Sequence, residues 1–218
     1  MNLIEIAKRR YATKKFDSSK RIPDDVFEQI KGLLQFSPSS VNSQPWHFVV
    51  ADSELGKTQL SKAAQGIYVA NESKILDASH VILFCAKTDL SDEYLLHLTE
   101  QEEADGRFPK PAGKEMVNKV RAFYADIHRK DLLDTQCWME KQVYLNIGTI
   151  LLGAGVLGVD AVPIEGVDLD VLNQTFNLLE KGFTAVAIVA LGYRADEDFN
   201  ADLPKSRLPM TETFSFLD

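Results

Sequence analysis

The chain alternates between stretches in which apolar residues recur every three or four positions and short runs in which nearly every residue is apolar. Leu3, Ile6 and Ala7 share one face of a first helix, and a second helix begins at Pro23 with Val26, Ile30, Leu33 and Leu34 on its apolar side. Proline suits a first turn because its missing N–H has no intrahelical partner there, and Asp24 and Asp25 face the positive end of the helix. "WHFVVAD" (46–52) and "HVILFCAKT" (80–88) have the length and β-branched content of strands, with a helix over residues 54–64 between them. Two charged helices are predicted next, over residues 92–104 and roughly 112–129, then a long apolar helix over about 135–157. "DAVPIEG" and a helix near 169–178 precede "FTAVAIVALGY" (183–193), which predicts a strand buried on both faces. After Tyr193, about 20 irregular residues lead to a possible terminal strand in "TETFSF", more than a compact domain usually holds. An arm crossing to a second copy of the chain would account for that length. Few strands and many helices predict an α+β fold, with residues 1–218 forming one domain.

One segment tests the expectation of a soluble chain: "VYLNIGTILLGAGVLGV" (143–159) carries no charge. A membrane span needs roughly 20 apolar residues, whereas this run is shorter, contains Asn146 and is interrupted by Gly148, Gly153, Gly155 and Gly158. Glycines allow neighbouring helices to approach closely at a conformational cost of roughly 1 kcal/mol each. The segment therefore predicts a helix buried on nearly all sides, at the domain centre or a subunit interface, and no membrane association.

Composition agrees with a globular protein: 218 residues, 45% hydrophobic and 26% charged. A formal net charge of -8 argues against a general electrostatic grip on nucleic acid or anionic membrane, so any phosphate site must be local. Cys85 and Cys137 lie in apolar surroundings without a CxxC pairing, where free cysteine behaves as a small hydrophobe; a reducing cytoplasm is the expected location. "MNLIEIAKRR" has an acidic residue in its first apolar stretch and no small-residue cleavage pattern, so a secretion signal is not expected.

Several chemistries lack their residues. His47, His80, His97 and His128 are isolated, and HExxH and CxxC are missing, so no metal site is predicted. GxSxG, a placed SxxK, GxGxxG and GxxxxGK[ST] are also missing, which sets aside serine hydrolases and the common nucleotide loops. What stands out is cation grouping in an acidic chain. "KRRYATKK" gathers Lys8, Arg9, Arg10, Lys14 and Lys15, and "LPKSRLP" holds Lys205 and Arg207 about Ser206 between two prolines. Either cluster alone reads more readily as a solvated basic face. The prolines stiffen the second, and together the two suit one phosphate group with charge-assisted hydrogen bonds.

"RRYATKKFD", "SPSSVNSQPWHFVVA", "NESKILDASHVILFCAK", "DGRF", "KQVYLNIGTILLG", "DAVPIEG" and "DFNADLPKSRLP" occur in that order nearly end to end. With them the chain resembles the FMN-dependent, oxygen-insensitive NAD(P)H nitroreductase family of the minor enterobacterial type. The resemblance implies a nitroreductase-like fold, a central, mostly antiparallel sheet flanked by helices, in a homodimer whose C-terminal extension completes the partner's sheet. Two FMN sites are implied at the interface. Arg10, Lys205 and Arg207 would hold the FMN phosphate, with Tyr11, Ala12, Thr13 and Ser206 alongside, and Lys14 and Lys74 would lie near the pyrimidine end of the ring. Fixed cations there favour the negative charge that hydride arrival leaves. Asn71 would meet the polar edge, and Glu165 and Gly166 would offer backbone amides, glycine permitting close approach. Pro38, Ser39, Ser40 and Asn42 would come from the other subunit.

The same resemblance implies that NADH or NADPH reduces FMN, leaves, and is replaced over the same face by a nitroaromatic or quinone, giving ping-pong kinetics with no side chain as covalent catalyst. Val41, Tyr68, Arg107, Tyr124 and Phe199 are candidates for lining that pocket with Lys14, Asn71 and Lys74. Free flavin or a dihydropteridine as acceptor is the alternative, and a non-catalytic flavin-binding dimer a remote one. Taken without the resemblance, Lys74 reads as a solvated lysine, Asn71 as a turn residue, Glu165 as a strand-end carboxylate, and Tyr68 and Tyr124 as ordinary aromatics. Ala12, Val41, Ala70 and Tyr124 depart from residues found in relatives, which bears on acceptor preference more than on FMN.

Overall fold

Two wholly apolar runs meet at the centre of the protein, and their lack of polar alternation is explained by burial on both faces. The structure, a computed structural model, describes residues 2–217. Its sheet has four strands: β1 (Trp46–Ala51), β2 (His80–Lys87), β3 (Asp160–Ile164) and β4 (Phe183–Gly192), in the order β1-β2-β4-β3 with every neighbouring pair antiparallel. The register pairs Phe84 with Ala187 but Cys85 with Ala185, so Val186 is an extra residue in β4. That bulge puts Val186 and Ala187 against the same core.

The helices are α1 (Leu3–Arg9), α2 (Asp24–Gln35), α3 (Glu54–Ser61), α4 (Glu72–Leu76), α5 (Asp92–Ala104), α6 (Pro111–Asp126), α7 (Thr135–Val156), α8 (Leu169–Phe176) and the single turn α9 (Met210–Thr213). Ile82, Phe84 and Ala86 of β2 join Ile30 and Leu34 of α2 and Met139, Val143 and Ile150 of α7 in one core. Val81, Leu83 and Cys85 point the other way, to Leu60, Ile75 and Leu172. The period-2 geometry of a strand thus feeds two cores from one apolar run. β3 is an edge strand, joined outside the regular ladder by a bridge between Ala12 and Ala161.

Three expectations need correction. The terminal strand at residues 211–216 is instead α9, with the Thr213 hydroxyl directed to the carbonyls of Pro209 and Met210, followed by chain that pairs with no strand among the described residues. A strand exists only through a neighbour's hydrogen bonds, and this chain offers the segment none. The long helix α7 does not lie at a domain centre: Tyr144, Leu145, Gly148 and Leu152 are exposed in the single chain, one stripe at helical spacing, which leaves the other expected position, a subunit interface. Cys137 is exposed while Cys85 is buried. A 3-10 segment at Gly66–Asn71 and the short α4 after it have too few residues to show a period. Among the described residues, no helix is long and apolar enough to cross a membrane.

Candidate active site

The edge strand β3 organises one group of polar residues. At its start, Asp160 takes a bidentate contact from Arg194, at 2.6 Å from Nη2 to Oδ1 and 3.0 Å from Nε to Oδ2, and the Arg194 guanidinium lies 4.6 Å from the Tyr11 ring centre. The segment of Arg10, Tyr11, Ala12, Thr13 and Lys14 runs beside it and is held from the far side by the loop after β4. Asp198, buried, accepts from the Lys14 amide at 2.9 Å and from the Tyr11 hydroxyl at 3.1 Å, while Asn200 donates to the Ala12 carbonyl at 2.9 Å. Burial and the Asp198 carboxylate push Tyr11 up to about 12 against the opposing Arg194 charge. The Thr13 hydroxyl is buried and has no hydrogen-bond partner among the described residues.

A cavity of about 680 Å³ opens over this segment, lined by Arg10, Tyr11, Ala12, Lys205, Ser206 and Arg207 among others. Lys205 Nζ donates to the carbonyls of Ala7 and Arg10, which ties the tail loop to the end of α1. The Arg207 guanidinium donates to the Ser206 carbonyl. Burial, then the charges of Arg10 and Arg207, hold Lys205 below the ordinary lysine range, and burial and Arg207 lower Arg10. The charges acting on both groups are positive, so the three cations repel one another and an anion in the cavity would offset that cost.

At the other end of β3, Asn71 Nδ2 donates to the Gly166 carbonyl at 2.8 Å, and Lys74 Nζ donates to Asn71 Oδ1 at 2.7 Å. A Cβ at position 166 would lie 2.7 Å from Asn71 Nδ2 and 3.5 Å from the Tyr68 ring, so a larger residue there would displace the Asn71 side chain from this pair. Burial, then the charge of Lys14, lowers Lys74. Glu165 is exposed and accepts from the Tyr144 hydroxyl at 2.7 Å, and Phe199 is exposed on the loop between Asp198 and Asn200. The cavity over Arg10, Lys205 and Arg207 is a trough along β3 as far as Pro163, and Lys14 and Lys74 lie together beyond the strand's end; three cations in the trough and two past its end fit a ligand with a phosphate and a second, electron-rich end.

Pro38, Ser39, Ser40, Val41 and Asn42 belong to a separate group. Gln142 Oε1 accepts from the Ser40 amide at 2.8 Å, whereas Gly155 packs against Ile6 and Arg10. Along α7 those two points are about 20 Å apart at 1.5 Å per residue. Within one chain the segment does not join the trough. It sits instead on α5 and α6: Asn42 Nδ2 donates to Glu102 Oε1 at 2.7 Å and Arg121 Nε donates to the Val41 carbonyl at 2.9 Å. Arg107 and Tyr124, both exposed, lie after α5 and on α6 respectively, on the same side.

The sequence reading missed the residues that fix these segments. Asp198 and Asn200 stand in a quoted motif, yet their composition is that of any turn. Arg121 lies on a helix predicted only as charged, though it precedes the buried Ala125 by one helical turn, the spacing that could have flagged it.

A family profile described as Nitroreductase family matches residues 7–193. The chain is 55% identical over 211 residues to the oxygen-insensitive NAD(P)H nitroreductase of Enterobacter cloacae, covering 97% of each. It is 53% identical over 215 residues to the protein of that name from Salmonella typhimurium, covering 99% of each. A solved structure from Exiguobacterium sibiricum, described as a nitroreductase in complex with FMN, has a TM-score of 0.84 at 24% identity, covering 100% of this chain and 98% of that one. This last likeness concerns the fold.

Proposed function

The chain belongs to the nitroreductase family, and on that premise we propose that it is an FMN-dependent NAD(P)H oxidoreductase reducing nitroaromatic compounds and quinones two electrons at a time. The observation that carries the reading is the trough along β3 with its three mutually repelling cations and, beyond the strand's end, the second pair Lys14 and Lys74 beside the close approach of Gly166 to Asn71. Arg10, Lys205 and Arg207 would hold the FMN phosphate, with Tyr11, Ala12 and Ser206 in the cavity wall and Thr13 buried behind it. Asn71, Lys74, Lys14, Glu165 and Gly166 would border the ring. Bound FMN supplies hydride chemistry, taking two electrons from NADH or NADPH and delivering them to the acceptor.

The chain's own residues bind and tune rather than react. Lys14 and Lys74, already crowded together, stabilise negative charge at the end of the trough, and no side chain is needed as a nucleophile. In a homodimer, Pro38, Ser39, Ser40 and Asn42 of one copy cover the trough of the other, with Val41, Tyr68, Arg107, Tyr124 and Phe199 around the acceptor. The two free cysteines, one exposed, accord with a reducing cytoplasm.

The test is direct. Purified protein is expected to show flavin absorption, to lose it on anaerobic NADH addition, and to turn over nitrofuran and menadione. Failure to take up FMN would end the proposal. A kcat/KM for free FMN well above both would move the acceptor to flavin. Lys205→Ala with Arg207→Ala is expected to weaken FMN binding by about tenfold or more, because two cations facing the phosphate are lost.

A further inference from the structure

Five non-glycine residues among those described have positive φ, and three of them fall within four positions: Val41 (φ 48), Asn42 (φ 53) and Gln44 (φ 43). Asparagine tolerates this region; a β-branched valine does not, because its Cβ crowds the following carbonyl. Such strain persists only when the surroundings over-determine it.

The surroundings here are specific. Arg121 is buried and spends three donor groups in three directions: Nε to the Val41 carbonyl at 2.9 Å, Nη1 to Thr99 Oγ1 at 2.6 Å, and Nη2 to Glu102 Oε1 at 2.7 Å. That same Glu102 oxygen accepts from the Asn42 amide group at 2.7 Å, and Glu102 is buried as well. The Tyr94 hydroxyl reaches the carbonyls of Ser43, at 3.0 Å, and Gln44, at 2.8 Å. The backbone of the strained residues is thus held by side chains of α5 and α6, while its own bonds, Gln44 amide to Ser39 Oγ and Asn42 amide to the Ser39 carbonyl, close the turn.

We infer that the Arg121–Glu102 pair is a positioning device that locks the turn of residues 39–44, with Val41, Asn42 and Gln44 left-handed, and so preorganises the segment that covers the flavin of a second copy. The inference rests on the proposed function for what the segment covers, but the lock is a property of the chain itself. A pair retained only to fill the space between α5 and α6 would have no need of the Val41 carbonyl. A lysine cannot replace Arg121, since one ammonium cannot reach a carbonyl, a hydroxyl and a carboxylate held in three directions.

The test is a double-mutant cycle of Arg121→Gln and Val41→Gly, because glycine adopts the left-handed region without the Cβ clash. The first readout is amide hydrogen exchange of residues 39–44 in the FMN-free protein. Arg121→Gln is expected to speed it by about tenfold or more in the valine background and by clearly less in the glycine background, as a local opening event. The second readout is kcat/KM for the acceptor in the FMN-loaded protein, with the same non-additivity. Unchanged exchange at 39–44, or an equal effect of Arg121→Gln in both backgrounds, overturns the lock. If Arg121→Gln does not fold, Arg121→Lys enters the same cycle and is expected to behave as a loss of the lock, and protection equal to the parent's overturns it. Parent protein that takes up no flavin would end the functional reading, and the exchange measurement would still decide the lock.

Discussion

A single methyl group separates the cradle at Gly166 from a blocked one. Its Cβ would stand 2.7 Å from Asn71 Nδ2, and Asn71 is in turn the partner of Lys74. In Gly166→Ala the Asn71 side chain swings away from the Gly166 carbonyl and Lys74 shifts with it, a rearrangement of partly exposed side chains that leaves the core intact. The expected outcome is FMN affinity reduced by roughly tenfold or more with the melting temperature little changed, measured by quenching of flavin fluorescence. The cations beside it set a pH dependence. Lys74 and Lys205 are lowered in the free protein by burial first and by neighbouring cations second. A bound phosphate or anionic ring favours their charged forms and raises both values, so binding takes up protons at alkaline pH below the ordinary lysine value. Because bound protein then holds more protons, affinity must fall as pH rises through the lowered values. Calorimetry in buffers of different ionisation enthalpy is expected to show this uptake at alkaline pH, and Lys74→Met to reduce it.

At the scale of elements, legibility followed the number of residues that share one pattern. β2 and β4 are uninterrupted apolar runs, burying His80–Ala86 and Ala185–Gly192, and their strand character was plain in the sequence. So was α2, whose apolar stripe recurs over 12 residues. Gly66–Asn71 and α4 have no side-chain cap and are held by contacts from distant segments, such as Asn71 to Gly166, which no window of sequence contains. The site divides in the same way. Cation clusters between prolines were visible in composition, whereas Asp198, Arg121 and Glu102 act through partners 19 to 187 residues away. His80, at the head of β2, ties an element to stability. It is buried, its ring lies 4.0 Å from that of Phe27 on α2, and burial followed by the Arg21 charge lowers its pKa. The unfolded histidine takes a proton near pH 6.5 while the folded one does not until lower pH, so the unfolded state binds more protons in that window. Stability is expected to be full above about pH 6.5 and to decline as pH falls below it, with His80→Gln flattening the slope of urea midpoint against pH.

The whole molecule presents more apolar surface than a finished monomer should. Leu145, Gly148 and Leu152 form the open stripe on α7, Phe36 beside it is 81% exposed, and a largely apolar groove of about 630 Å³ runs between α2 and α7. Leu208, Met210, Phe214 and Phe216 extend the same character through the tail. A second copy of the chain would cover these surfaces, and it would bring residues 38–42 to a trough they cannot reach in their own chain. This assignment can be tested without knowing the acceptor. One defective protein carries Lys205→Ala and Arg207→Ala, which remove cations from the trough; the other carries Ser40→Glu and Asn42→Glu, which spoil the covering segment. Each alone is expected to lose most nitrofuran reduction. In a mixed dimer the first protein's intact segment covers the second protein's intact trough, while the other site carries both defects. Half of a randomly mixed population is mixed dimers, so joint refolding of equal amounts is expected to recover about a quarter of the parent activity, as two-fold symmetry requires. If each chain covered its own trough, every site in the mixture would carry one defect and no activity would return. Sedimentation of the mixture reports whether the copies have paired, so silence from a paired population counts against shared sites and silence from monomers against the dimer itself.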